Sequence, residues 1–379
     1  MNIVLGMITK KLDNSNALLQ FVENAEKYGH KLQKAIVTCS NGVDISAVNA
    51  IREKISLDII DLNNPDYLIK EFRRYGVSEK HTQTLLELPL NAESTPVPYG
   101  YNRNMVVLQA ILSGADILIF VDSDVAPYVL NKSLELEEVD FFGRHLHHLS
   151  GETLITTSEY SGYNILPAAN FDGMWELLIG LQKEGMSAFW ATNSEHHCLT
   201  VHEPLEPSET TKVLGGNAGF KLEAFQKIPP FFSSYYTTPE ETFLCRGEDT
   251  ILGPSFKRNQ ITCIDIQTKI FHDTYRNYPQ VPNLQEDTAV QERFYYACTG
   301  WVGRNPFYNY IMHKDLTATQ ELQHFNLQIG SKALAEYTNN YKFLTLPEKL
   351  EISWASLPRY VAEYEQLLEA WENFKLKCF

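Results

Sequence analysis

At 379 residues, 44% of them hydrophobic and 21% charged, the chain is long enough for one large or two modest cores and too apolar for intrinsic disorder. Its formal net charge of −15 argues against non-specific binding to nucleic acid or anionic membranes, which needs an excess of Lys and Arg. Cys39, Cys198, Cys245, Cys263, Cys298 and Cys378 show no CxxC pair or framework spacing, Met1 to Gly6 carries no secretory signal, and no apolar run approaches the roughly 18 residues of a membrane span, so a cytoplasmic protein with reduced thiols is expected.

In chain order, residues 2–8 read as a strand, and Asn16 to Tyr28 as a helix with Leu18, Leu19, Phe21, Val22 and Ala25 at helical spacing. Residues 33–39 are a second strand closed by the turn residues Ser40, Asn41 and Gly42, Ile45 to Ile55 a second helix, and Leu57 to Leu62 a third strand. Such alternation implies a mostly parallel sheet with ligands at the carboxyl ends of its strands. Residues 64–90 read as two short charged helices, and Asn91 to Gly100, with Pro96 and Pro98, as an irregular loop able to cover a ligand. A helix from Tyr101 to Leu112 follows, and Gly114 stops it.

Ile117 to Val121 is short, continuous and β-branched, the pattern of a strand buried on both faces. It ends in Asp122-Ser123-Asp124. Because side chains alternate along an extended strand, the two acids are expected on one side, about 7 Å apart at ~3.4 Å per residue. Oxygen ligands there suit a hard divalent cation, magnesium or manganese, that shares its other positions with substrate phosphates. The competing reading is that the pair only caps the strand before Pro127.

Downstream, residues 132–149 read as a polar helix on which His145 and His148 share a solvated face rather than a second metal site. Glu152 to Tyr160 alternates like a strand, Phe171 to Lys183 is helical, and Met186 to Thr192 with Cys198 to His202 read as a strand pair; His196 and His197 lie between them. Val213 to Phe220 carries Gly215-Gly216-Asn217 and leads to a helix starting near Lys221. Arg246-Gly247-Glu248-Asp249 opens a further helix that Gly253-Pro254 should kink. Ile261 to Ile266 and Thr268 to His272 are the last strand signals, and from about residue 283 the chain turns helical, ending in a helix from Pro358 to Leu376.

The ordered set of Arg103-Asn104, Gly114-Ala115-Asp116, the strand ending in Asp122-Ser123-Asp124, Gly215 to Phe220, Arg246 to Asp249, and a strand ending in Phe271-His272 resembles the GT-A fold glycosyltransferases with an Asp-x-Asp (DxD) motif, of the family-2-like kind. The resemblance covers residues 1–275 as a catalytic domain. It implies a Rossmann-like α/β fold with a mostly parallel central sheet flanked by helices, leaving 276–379 as a helical C-terminal extension packed on that domain. It implies transfer of a sugar from a nucleotide-diphosphate donor, UDP- or GDP-linked, to an acceptor hydroxyl, with Mn2+ or Mg2+ as cofactor. Asp124 would then bind the metal directly, Asp122 would hold ribose or a metal-bound water, and His272 would complete the metal site. Arg103 and Asn104 would line the nucleotide side of the pocket.

The chemistry explains these residue types. Departure of a nucleoside diphosphate builds negative charge on its β-phosphate, which a metal offsets, with Arg246 the candidate second cation. In an inverting transfer, favoured here over a retaining one, a carboxylate takes the proton of the acceptor hydroxyl; Asp249 is the candidate base, with Glu248 orienting acceptor or base. The alternative is that these acids only stabilise a helix start. Gly216 offers close backbone approach to the donor, and Asn217 a bond to a sugar hydroxyl. The acceptor is a glycan, a protein or a small molecule, and the stereochemistry stays open because Gly253-Pro254 interrupts a helix usually continuous in inverting relatives. A haloacid dehalogenase-type phosphohydrolase and a non-catalytic sugar-nucleotide-binding protein are the rival readings. The C-terminal helices offer a surface for homo-oligomers.

Overall fold

Residues 1–62, 65–86, 97–182 and 198–379 are described by a computed structural model. Most of the expected loop over 91–100, the expected strand over 186–192, and His196 and His197 lie outside the described residues. The chain begins with β1 (Ile3–Thr9), α1 (Asn16–Lys27), β2 (Leu32–Cys39), α2 (Ile45–Arg52) and β3 (Leu57–Asp61). The side chain of Asp44 starts α2 by accepting the Ser46 and Ala47 N–H groups, which have no partner within the helix. Two short helices, α3 (Asp66–Tyr75) and α4 (Glu79–Leu86), lead to α5 (Tyr99–Leu112), which Gly114 at φ +66° closes in the left-handed region.

β4 (Ile117–Asp122) pairs in parallel with β1, β1 with β2, and β2 with β3. Its alternating side chains enter two cores. Leu118 and Phe120 join Val4, Ile36, Met105 and Phe220, while Ile119 and Val121 join Leu5, Phe21 and Phe141. The expectation of a strand buried on both faces holds.

After β4 the structure differs from the sequence reading. β5 (Val125–Leu130) and β6 (Leu136–Glu138) form a hairpin, because Tyr128, Val129 and Leu130 favour strand and Leu134, at φ 61°, turns the chain. The helix expected over 132–149 shrinks to α6 (Phe141–His148), which Asp140 starts by accepting the Gly143 N–H at 2.9 Å. The following elements are β7 (Ile155–Thr157), β8 (Tyr160–Tyr163), α7 (Met174–Leu181), β9 (Leu199–Thr200), β10 (Ser208–Glu209) and β11 (Asn217–Lys221). A 3-10 turn over Leu222–Gln226 replaces the helix expected near Lys221.

β12 (Tyr235–Thr237) and β13 (Thr242–Leu244) form a hairpin before α8 (Glu248–Arg258), which runs unbroken through Pro254 at the loss of one backbone hydrogen bond. β14 (Cys263–Asp265) and β15 (Ile270–His272) complete the strands, and α9 (Thr288–Ile311), α10 (Leu316–Thr338), α11 (Leu346–Ala355) and α12 (Leu357–Cys378) follow.

The described strands form a central sheet in the order β10-β14-β7-β11-β4-β1-β2-β3, and a second sheet in the order β6-β5-β15-β8-β9. In the central sheet β11 runs antiparallel to both β4 and β7. α9, α10 and α11 share a core with α7 through Trp301, Leu334, Trp354 and Leu178. α12 returns across the first core, where Trp371 packs on Phe225 and Phe374 on Phe72, each ring contributing about 1.5–3 kcal/mol by burial. The α/β class, the mostly parallel sheet flanked by helices and the helical C-terminal region are as expected. Among the described residues no helix is long and apolar enough to cross a membrane.

Candidate active site

A cleft of about 1630 Å³ opens at the carboxyl ends of β1, β2 and β4, and Thr9, Asn41, Asp122, Asp124, Asp249 and His272 are among the residues on its walls. β4 ends at Asp122, whereas Ser123 and Asp124 form the turn into β5. The strand alternation expected to align the two acids therefore stops at the first of them. Asp122 Oδ1 accepts from Arg103 Nη2 at 3.0 Å and Oδ2 accepts from the Tyr160 hydroxyl at 3.4 Å. Asp124 turns instead to His272, whose Nε2 lies 3.2 Å from its Oδ2.

The sheet explains that second pairing. β15 runs antiparallel to β5 with His272 opposite Val125, one residue beyond Asp124. His272 Nδ1 shares a hydrogen bond with the Thr274 hydroxyl at 3.0 Å, which leaves Nε2 aimed at the carboxylate. Arg293 on α9 brings Nη2 within 3.7 Å of the same oxygen. Burial pushes the Asp124 carboxyl up, but His272 first, and then Arg293 and Arg276, bring it down to about 2. Among the described residues no three His, Cys, Asp or Glu side chains converge as a metal cluster. Asp124 and His272 still fit a divalent ion as a mixed oxygen and nitrogen pair that leaves positions for water and phosphate. Asp122 pairs instead with Arg103 and Tyr160.

Arg103 is the hub of the cleft floor. It is 3% exposed, and its Nε donates to Glu248 Oε1 at 2.8 Å, its Nη1 to the Gly215 carbonyl at 2.8 Å and its Nη2 to Asp122. Burial works against its charge, and Asp122, Glu248 and Asp249 more than offset that. Asn104, one residue along α5, faces away from the cleft: its side chain donates to the Phe231 carbonyl and accepts from the Phe231 N–H, both at 2.9 Å. Successive helical residues point about 100° apart, so the expected nucleotide pair is divided.

Gly216 sits against Asp122: a Cβ there would meet Asp122 Oδ2 at 2.3 Å and the Tyr160 hydroxyl at 2.5 Å. Its N–H donates to that hydroxyl at 3.0 Å. Asn217 is fully buried and bonds no sugar from there. Its amide donates to the Glu159 and Thr268 carbonyls and its Oδ1 meets His145 Nε2 at 3.1 Å. His145 is correspondingly buried, not on a solvated face as expected.

At the other end of the cleft, Glu248 is 5% exposed and turned to Arg103. Burial first, and then the neighbouring Asp249, push its carboxyl up. Asp249 remains on the cleft wall, held by the Gly215 N–H at 2.8 Å on Oδ2 and the Thr250 N–H at 2.7 Å on Oδ1. Arg246 lies nearby, also on the wall. Tyr160, Arg276 and Arg293 were missed by sequence reasoning, and α9 adds Tyr296, Trp301, Arg304 and Tyr308 to the wall. The aromatic-rich run over 301–310, with Trp301, Phe307, Tyr308 and Tyr310, is the signal in the sequence that could have marked the α9 wall.

Neither a protein-family model nor a curated protein sequence matches the chain. Among solved structures it is similar to glucosyl-3-phosphoglycerate synthase from Mycobacterium tuberculosis in complex with Mn2+, UDP-glucose and phosphoglyceric acid, at 14% identity over 83% of this chain and 80% of that one, with a TM-score of 0.40. The same enzyme with Mn2+ and UDP-glucose matches at 14% identity over 80% and 78%, with a TM-score of 0.38. A mycobacterial protein matches at 14% identity over 80% and 74%, also with a TM-score of 0.38.

Proposed function

We propose that the chain is a metal-dependent glycosyltransferase that moves a sugar from a nucleotide-diphosphate donor, UDP- or GDP-linked, to an acceptor hydroxyl. The observation that carries this reading is the Asp122–Arg103–Glu248 chain of ion pairs, whose ends adjoin Asp124 with His272 on one side and the cleft-facing Asp249 on the other. Asp124 and His272 would hold Mn2+ or Mg2+, which supplies positive charge for the departing diphosphate. Arg293 and Arg276, which act on Asp124, add cationic charge at that end. Asp249 is the base for the acceptor hydroxyl, and Glu248 positions it through the shared helix start. This arrangement supports inversion.

The described residues contain no disulfide, and a cytoplasmic setting is part of the same proposal. The test is thermal stability of the whole chain with manganese and a panel of UDP-, GDP- and dTDP-sugars. One nucleotide class is expected to stabilise the protein only with metal, and Asp124→Ala is expected to abolish the effect. A panel without any nucleotide-dependent shift would overturn the reading, and NMR of the product's anomeric centre decides between inversion and retention.

A further inference from the structure

Three arginines of the cleft fall into two sets. Arg293 and Arg276 act on Asp124 and so serve the metal end. Arg246 belongs to the other end, where Tyr99, Tyr296, Glu248 and Asp249 surround its charge. Its bonding is unlike that of Arg103, which donates from all three nitrogens to protein acceptors. The Arg246 Nη1 is buried and has no hydrogen-bond partner among the described residues. A buried guanidinium nitrogen with its N–H donors unused is costly unless something arrives to bind it.

The surroundings are built to keep Arg246 in place. Its backbone N–H donates to the Gly300 carbonyl at 3.1 Å, and a Cβ on Gly300 would meet Arg246 Cγ at 2.2 Å. Glycine in a helix interior is unfavourable, so this gap in α9 serves the arginine stem. The Tyr99 and Tyr296 hydroxyls bond each other beside it. Burial pushes the Tyr99 phenol well above its ordinary range, so it remains an O–H group that can donate to an anion.

We infer that the acceptor carries an anionic group, a phosphate monoester or a carboxylate, which docks on the Arg246 guanidinium and presents a nearby hydroxyl to Asp249. The inference rests on the transferase reading and narrows its acceptor to a class. A planar fork of N–H donors matches both anions, and phosphate with its extra oxygens can also take a phenolic O–H.

The experiment is a titration of the full-length protein, already saturated with manganese and the nucleoside diphosphate that stabilises it, with inorganic phosphate in one arm and acetate in the other, at constant ionic strength. At least one anion is expected to bind saturably, and the arm that responds identifies the group. Arg246→Gln is expected to weaken that binding at least tenfold, and Arg246→Lys to restore part of it, with both variants first checked for unchanged melting. Absence of saturable binding in either arm, or equal binding by Arg246→Gln, would overturn the inference. Failure of the nucleotide to bind, with an Arg246-dependent anion site intact, would instead strike the transferase reading alone.

Discussion

Asp249 is useful because it is held without being hidden. Two backbone N–H groups fix its oxygens while the side chain stays on the cleft wall. Asp249→Asn keeps the shape and removes the basicity, so turnover should fall by ~10²–10⁴ with donor affinity unchanged. Steady-state rates set beside calorimetric nucleotide binding check this, and near-normal turnover would remove Asp249 as the base. His145 gives a prediction of another kind. Burial pushes its pKa from the ordinary 6.5 down to about 4, so in that interval the unfolded chain takes up a proton that the folded chain refuses. Its contribution to stability is complete above about pH 6.5, declines as pH falls, and is exhausted below about pH 4, a loss of up to about 3 kcal/mol. Urea midpoints across that window should drop, and the drop should shrink in His145→Gln.

Among the elements, several glycines of the site leave no room for a side chain. Gly300→Ala should raise helix propensity by about 1 kcal/mol. It should nevertheless destabilise the protein by about 1–3 kcal/mol, because the new methyl would strike the Arg246 stem. A melting temperature at or above that of the parent would show that the stem moves aside freely. The long periodic elements, β1 to β4, α1 and α12, were legible because burial repeats along them in the chain itself. The short strands β5, β6, β12 and β13 were not. β6, β12 and β13 span only three residues each, and β5 is defined by pairing with β15, far along the chain. The same holds for the site: Asp122, Asp124, Asp249 and His272 were readable as types in order. The turn that parts the two acids, and the rotation that sends Asn104 to Phe231, depend on tertiary contacts.

Across the molecule, Arg103 ties three elements at once, joining α5 to the end of β4 and the start of α8. Its removal leaves Glu248 as a buried charge without its partner. Arg103→Ala should therefore cost about 3–5 kcal/mol, well beyond the loss at an exposed ion pair. Chemical denaturation measures this, and a change below about 1 kcal/mol would place Glu248 in a neutral, water-satisfied state instead. The face of α9 that carries Arg293, Tyr296, Gly300 and Arg304 reaches the cleft from beyond the last strand. A chain severed after residue 275 would keep every described strand of both sheets and lose that whole wall, including the notch that seats Arg246. On the transferase reading, the α9 face therefore serves both ends of the reaction, with Arg293 beside Asp124 and with Tyr296 and Gly300 beside Arg246. Exchanging that one helical face between related chains would alter the handling of donor and recipient together.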